Sequence, residues 1–265
     1  MIQSPDFLAD FSMNGWRKLE IIVVGAGGTG SALLNKLFQL DMTLRNLGSP
    51  GFSVTVYDDD IVTASNIGRQ AFWQADLNQP KASVLVDRYN RFGGLNWKAV
   101  TEKYIPKESY FYTSEGVVIF GCVDNVDGRK TIHTMMQQKR QTVWIDCGND
   151  SRSANVLMGM KANVAGEQVY LPSVYDLFKE QFDSNTIKPE PSCSTAEAIA
   201  RQAFGINDIT AAQAVQILWQ LLRHGEISYQ GVTIDLATGT TNPIEADPAI
   251  WAMFGYVDER SKKAA

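Results

Sequence analysis

Cysteine and histidine are scarce in this chain, with three of the first and two of the second among 265 residues. Cys122, Cys147 and Cys193 stand far apart and form no C-x-x-C pair, so a disulfide framework and a four-cysteine zinc site are both unsupported. No structural zinc is expected, and a reducing cytoplasm is the expected setting. His133 and His224 are too few for a histidine-rich metal site or a multi-histidine mechanism, and each reads as an ordinary helix residue. An excess of positive charge is also missing. The net charge of −5 and pI near 5.1 argue against a general nucleic-acid or anionic-membrane binder. No apolar run approaches the roughly 18 residues that a spanning helix needs. The N-terminus carries Asp6 and Asp10 without a basic stretch, so it does not resemble a secretory signal. There is no internal repeat and no low-complexity linker that would force a domain boundary.

What is present is the pattern of a folded α/β chain. Hydrophobic residues make up 45% and charged residues 20%, within the ordinary range for globular domains. The stretch Leu19 to Gly30, LEIIVVGAGGTG, organises the rest. Ile21 to Val24 suits a strand buried on both faces of a parallel sheet. Gly25, Gly27 and Gly30 fill a G-x-G-x-x-G template with an extra Gly28, and Ser31 to Leu40 follows with helical periodicity. Such a turn lets backbone N–H groups and a helix N-terminus approach a phosphate. Phe52 to Tyr57 reads as a second parallel strand running into Asp58, Asp59 and Asp60, followed by an unpatterned loop from Ile61 to Asn78. A helix after Pro80, a short strand over 97–101, a buried strand over 116–122, a helix to about Gln138 and a strand over 142–147 continue the alternation. Beyond residue 150 the pattern changes. Segments 154–160 and 167–171 predict an antiparallel hairpin, 172–192 an irregular crossover, 195–204 and 209–223 helices, and 227–236 one or two short strands. The expected fold is α/β: a Rossmann-like, doubly wound, mainly parallel sheet with an antiparallel C-terminal extension. Residues 1–160 form the nucleotide-binding core, and residues 161–265 complete the same domain.

The chemistry is carried by residues that follow the strands. Asp58 can hold ribose hydroxyls, as in a nicotinamide-binding domain, and Asp60 shares its face if the strand continues. The loop beyond supplies Ser65, Asn66, Arg69 and Gln70, and Lys81 opens the next helix. Arg and Lys converging near a glycine turn suit a triphosphate better than a dinucleotide. Asp124, after the fourth core strand, lies where open α/β sheets bind ligands and could hold Mg²⁺ through one carboxylate. A nicotinamide-dependent oxidoreductase and a catalytically silent nucleotide-binding scaffold are the competing readings.

In order along the chain, GAGGTG at 25–30, DDD at 58–60, SNIGRQ at 65–70, QPKA at 79–82 and VDN at 123–125 resemble the adenylating domain shared by ThiF, MoeB and the ubiquitin-activating enzymes. In size and in its divergent C-terminal half the chain looks most like the ThiF-family members of bacterial PRTRC systems. The resemblance implies ATP and Mg²⁺ as cofactors. Gly25, Gly27 and Gly28 would lie against the nucleotide, Asp58 would take the ribose, and Asn66, Arg69 and Lys81 would contact the phosphates, with Gly30, Asp60 and Ser65 also among the cofactor-binding residues. Asp124 would bind the metal with Asn125 in support. The implied substrate is a small ubiquitin-like or sulfur-carrier protein with a flexible C-terminal tail, whose carboxylate is adenylated by a homodimeric enzyme. A conjugating-enzyme-like or sulfur-transfer acceptor would follow. Members that proceed to a thioester place a cysteine in the crossover, and Cys193 stands there in PSCSTAEA, where Ser194 and Glu197 fit a capping box. Cys122 and Cys147 read as inert core residues at strand ends. The C-x-x-C pairs of MoeB-like members are absent, and of the basic arm that many members lend to the partner subunit only Arg17 remains as a candidate.

Overall fold

The computed structural model of the chain describes residues 1–9, 18–106, 116–184 and 202–257. In chain order the first part comprises β1 (Ile2–Gln3), β2 (Leu19–Val24), α1 (Gly28–Asn46), β3 (Phe52–Tyr57), α2 (Lys81–Gly93), β4 (Lys98–Val100), β5 (Val117–Gly121), α3 (Val126–Gln138) and β6 (Thr142–Asn149). The second part comprises β7 (Ser153–Val164), β8 (Glu167–Leu171), α4 (Val174–Leu177), α5 (Lys179–Asp183), α6 (Ile206–His224), β9 (Glu226–Ile227), β10 (Gly231–Asp235), β11 (Thr240–Ile244) and α7 (Pro248–Met253).

Nine strands form one sheet in the order β11-β10-β7-β6-β5-β2-β3-β4, with β8 paired to β7. β2 to β6 run parallel, with Ile21 between Val54 and Val118. β7, β8, β10 and β11 join antiparallel. The uninterrupted apolar runs IIVV and VVIF are buried because helices cover both faces, which is why neither shows the alternation of a half-exposed strand. α6 buries the stripe Ala211, Ala214, Val215, Leu218, Leu221 and Leu222, and packs against α1, β6 and β7. That stripe is core. No helix among the described residues is long and apolar enough to cross a membrane.

Three elements differ from expectation. α1 begins at Gly28 rather than near Ser31, so the helix N-terminus lies within the glycine turn itself. The crossover expected to be irregular contains α4 and α5; Ser173 accepts from the Asp176 N–H, and the Asp176 carboxylate accepts from the Ser173 N–H at 2.7 Å, a reciprocal cap that starts a helix without apolar periodicity. β11, reading TTNPI, is an exposed edge strand, the one place in a sheet where Pro243 removes no needed ladder bond. Of the segment predicted helical at 195–204, residues 202–204 are not helical and the remainder lies outside the described residues.

Candidate active site

A cavity of about 830 Å³ opens at the carboxyl ends of β2, β3, β5 and β6, where a doubly wound sheet leaves a crevice between its diverging helices. One wall is the glycine turn. Gly25 has a φ of +94°, and a Cβ there would sit 2.6 Å from the Cys122 carbonyl oxygen, so the backbone can follow this path only without a side chain. A Cβ on Gly30 would overlap the Gly25 carbonyl, and one on Gly28 would meet the Asn207 amide at 2.7 Å. Gly28 and Gly30 therefore serve packing within the protein. Among the described residues nothing lies within 4 Å of a Cβ position on Gly27, which lines the open cavity.

The three acids after β3 separate in role. The chain leaves the sheet at Tyr57, so the shared face expected of Asp58 and Asp60 does not arise from strand geometry. Asp58 turns back, accepting the Ala26 N–H at 2.6 Å and the Asp60 N–H at 3.0 Å, which binds the end of β3 to the glycine turn. Burial pushes its carboxyl above the ordinary carboxylate range, against the pull of the Ala26 N–H and of Lys81. Asp60 reaches the Lys81 ammonium at 2.7 Å; Asp60 is largely in solvent, whereas Lys81 is buried at the first turn of α2 with its charge at the cavity wall.

In the following loop, Arg69 and Gln70 line the cavity and Ser65 and Asn66 do not. Asn66 is buried, and its carboxamide oxygen accepts from the Thr63 N–H at 2.9 Å and the Thr63 hydroxyl at 3.1 Å, closing the 3₁₀ turn Ala64–Asn66. Ser65 exchanges a hydrogen bond with the same hydroxyl at 2.8 Å. Both thus shape the loop that presents Arg69. The Arg69 guanidinium donates to Gln202 at 2.9 Å, its Nε and the Gln70 Oε1 have no hydrogen-bond partner among the described residues, and burial lowers its affinity for a proton. A buried donor and a buried acceptor left open on one wall are groups that a polar ligand would satisfy.

On the opposite side, Asp124 and Asn125 follow β5 and are exposed to the cavity. Asn125 caps α3 by accepting the Gly128 N–H at 2.8 Å and steadies Asp124 with a 3.3 Å hydrogen bond. Among the described residues no group of three or more His, Cys, Asp or Glu is placed to hold a metal alone. A single carboxylate of this kind suits Mg²⁺ that arrives with phosphate oxygens as its other ligands.

Several lining residues were not singled out in the sequence. Arg129, one turn into α3, sets its Nε 3.1 and 3.2 Å from the two carboxylate oxygens of Asp146 within β6. Asp146 is buried, which raises its carboxyl above the usual range in spite of Arg129. An amide cluster ties the sheet to the C-terminal segment: Asn149 donates to Thr29 at 2.9 Å and to Asn207 at 2.8 Å, the Thr29 hydroxyl donates to Asn207 at 3.1 Å, and Gln202 donates to Asn149 at 3.3 Å. Gln202 is also the partner of Arg69, so the cluster positions that cation. Cys122 and Cys147 are not merely core. Both line the cavity, Cys122 half-buried, and the neighbouring Cys122 thiol together with burial holds the Cys147 thiol well above the usual thiol range. Cys193 and Arg17 lie outside the described residues.

The ThiF family model matches residues 3–249. The chain is 30% identical over 118 residues to the NEDD8-activating enzyme E1 catalytic subunit of Arabidopsis thaliana, a match covering 43% of this chain and 24% of that protein. It is 27% identical over 124 residues to the ubiquitin-activating enzyme E1-like protein of Saccharomyces cerevisiae, covering 46% and 18%. The chain thus spans about a quarter or less of these curated relatives. Among solved structures, PaaA superposes with a TM-score of 0.57 at 15% identity, and E. coli MccB with ATP at 0.55 and 14%; each superposition covers 91% of this chain and 66% of the other. The likeness to these two is one of fold.

Proposed function

The chain belongs to the ThiF family, and from that premise we propose that it uses ATP to activate the C-terminal carboxylate of a small ubiquitin-like or sulfur-carrier protein. The observation that carries the reading is the composition of one cavity. That cavity is lined by the open glycine turn, the Asp58 carboxylate, Arg69, Lys81 and Asp124. A nicotinamide enzyme has use for the first two and none for the other three.

In the proposed reaction a carboxylate oxygen forms a bond to the α-phosphorus, the bond from that phosphorus to the bridging oxygen breaks, and pyrophosphate leaves with the electron pair. Asp58 retains lone pairs for ribose hydroxyls beyond those used by Ala26 and Asp60. Arg69 and Lys81 offset the repulsion between an incoming carboxylate and a polyphosphate, and their fixed positions, set by Gln202 and Asp60, mean that little reorganisation is needed as charge shifts. Asp124, steadied by Asn125, would hold Mg²⁺, which supplies charge neutralisation at the phosphates. Passage of the acyl group to Cys193 as a thioester, and action as a homodimer, belong to the same proposal and rest on the resemblance of the sequence.

Isothermal titration with ATP and with NAD, followed by pyrophosphate exchange in the presence of a small protein with a Gly-rich tail, tests the reading. ATP binding and exchange that disappears in Asp124→Ala are expected. Tight binding of NAD in place of ATP, or unaltered exchange in that variant, would contradict it. A reducible conjugate that persists in Cys193→Ala would remove the thioester step.

A further inference from the structure

We infer that Cys122 and Cys147 form a reversible dithiol–disulfide site in the wall of the nucleotide cavity, oxidised by peroxide-class oxidants that enter through the cavity. The backbone sets the two residues side by side. In the parallel pairing of β5 and β6, Gly121 stands opposite Asp146, and Cys122 and Cys147 are the next step of that register. β5 itself ends at Gly121, and the Cys122 N–H still donates to the Val24 carbonyl of β2 at 2.8 Å, which keeps the chain extended one residue beyond the strand. Residues opposite each other on neighbouring parallel strands point to the same face, and strands lie about 4.8 Å apart. That spacing falls within the about 4.4–6.8 Å between Cα atoms that a disulfide accepts, so the bond needs side-chain rotation and a small approach of the two Cβ atoms to the about 3.5–4.5 Å it requires. The neighbouring Cys122 thiol, together with burial, holds the Cys147 thiol above its usual range, as expected of groups on one face.

Access separates their roles. Cys122 is half-buried and Cys147 buried, and both line the cavity, so the oxidant meets the Cys122 sulfur first. The Cys122 sulfur attacks one oxygen of the peroxide, giving a sulfenic acid and releasing water, or an alcohol from an organic peroxide. The Cys147 sulfur then attacks the Cys122 sulfur; the S–S bond forms, the S–O bond breaks, and the hydroxyl leaves as water with the Cys147 proton. Two thiols are oxidised by two electrons and one peroxide is reduced.

Cys122 also adjoins the glycine turn. Its carbonyl is the atom that a Cβ on Gly25 would strike, and its Cβ lies 3.4 Å from a Cβ built on Gly30. A nucleotide lying on that turn would close the route to the Cys122 sulfur, so the filled site would be protected and the empty one oxidisable. This protection rests on the ATP reading above, whereas formation of the disulfide does not.

The test uses the full chain, treated with hydrogen peroxide with and without saturating Mg-ATP, blocked with an alkylating agent, digested without reduction and read by mass spectrometry. The expected product is a 122–147 linked peptide that dithiothreitol removes, formed about tenfold or more slowly with ATP bound. Cys147→Ser should halt oxidation at a Cys122 sulfenic acid that dimedone traps, and Cys122→Ser should abolish the linked peptide; because Cys122 is half-buried, the second variant keeps the test valid if the first does not fold. Links to Cys193 or between chains in place of 122–147 would overturn the inference. An equal rate with and without ATP, in a protein that titration shows to bind ATP, would overturn the protection. Absence of ATP binding would count against the proposed function while leaving the disulfide standing.

Discussion

Arg129→Met isolates the contact between α3 and β6, and its cost can be worked from the structure in two ways. The side chains of Arg129 and Asp146 retain 13% and 4% of their exposure, so removing the cation leaves a carboxylate that water cannot reach. Breaking a buried pair from one side costs about 3–5 kcal/mol. Alternatively, Asp146 escapes by taking a proton. Holding a carboxyl neutral at pH 7, against an ordinary value of 3.8, costs about 1.4 kcal/mol per pH unit, or about 4 kcal/mol. The two estimates agree, and the second carries a sign. A carboxyl whose folded-state value lies above its unfolded value contributes stability that is complete below the unfolded value and is lost as pH rises through the folded one. Asp146 is already raised in the wild type, and without Arg129 it rises further. Because the wild type already bears part of this cost, the penalty of the variant should be at most about 4 kcal/mol at pH 7 and at most about 2 kcal/mol at pH 5. Urea denaturation of the two proteins at both pH values measures this, each variant compared with the wild type at the same pH. Asp146→Asn in the Arg129→Met background should restore most of the loss and flatten the pH dependence. A penalty under about 1 kcal/mol at pH 7, or one that does not shrink at pH 5, would refute the reasoning. Since the readout is folding, the outcome is independent of what the cavity binds.

Lys81→Met should fold almost normally, since its partner Asp60 keeps 68% side-chain exposure and is rehydrated when the ammonium is removed; its affinity for ATP by titration should fall by about tenfold or more. Gly25→Ala forces a side chain into a φ of +94° and against the Cys122 carbonyl, and should lose about 1–3 kcal/mol or more in thermal melts, with nucleotide binding lost even where folding survives. Burial holds the His133 imidazole below its ordinary value of 6.5, with Asp176 pulling it up and Lys179 pushing it further down. The folded state thus binds fewer protons than the unfolded one below pH 6.5, and stability is lost as pH falls through that window. His133→Gln should lessen the drop in urea midpoint between pH 7.5 and pH 5.5, and an unchanged drop would remove His133 as its cause.

How legible each feature was depended on whether its cause was local. A strand buried on both faces must be apolar throughout, and a helix packed on one side must repeat every 3.6 residues, so β2, β5 and α6 could be read from their own residues. β11 has no such internal cause and exists because β10 offers an open edge, whereas α4 has a local one of a different kind, the capping pair Ser173 and Asp176, which apolar periodicity does not show. Asp146 did carry a signal that could have been followed: a charge inside the apolar run TVWIDC must find a partner, and Arg129, four residues after the cap Asn125 and so on the same face of α3, was the cation within reach.

The site was legible where a residue's chemistry has one use and obscure where it has two. Lys81 and Arg69 are cations beside a glycine turn, and both line the cavity. Asn66 suggests the same role from the same loop, but a carboxamide closes turns as readily as it binds ligands, and here its oxygen is taken by Thr63. Gly28 divides similarly: inside G-x-G-x-x-G it looks reserved for phosphate, while the atom that excludes a side chain from it belongs to Asn207, 179 residues later. The cluster of Thr29, Asn149, Gln202 and Asn207 was beyond reach for a related reason. Its members are neutral, occur singly on four separate segments, and become a unit only when α6 is laid over α1. Yet this cluster holds Arg69 through Gln202, so the most readable cation of the site owes its position to the least readable residues. It follows that Gln202→Ala should weaken ATP binding through Arg69 without touching the glycine turn, and that its effect should vanish in an Arg69→Ala background.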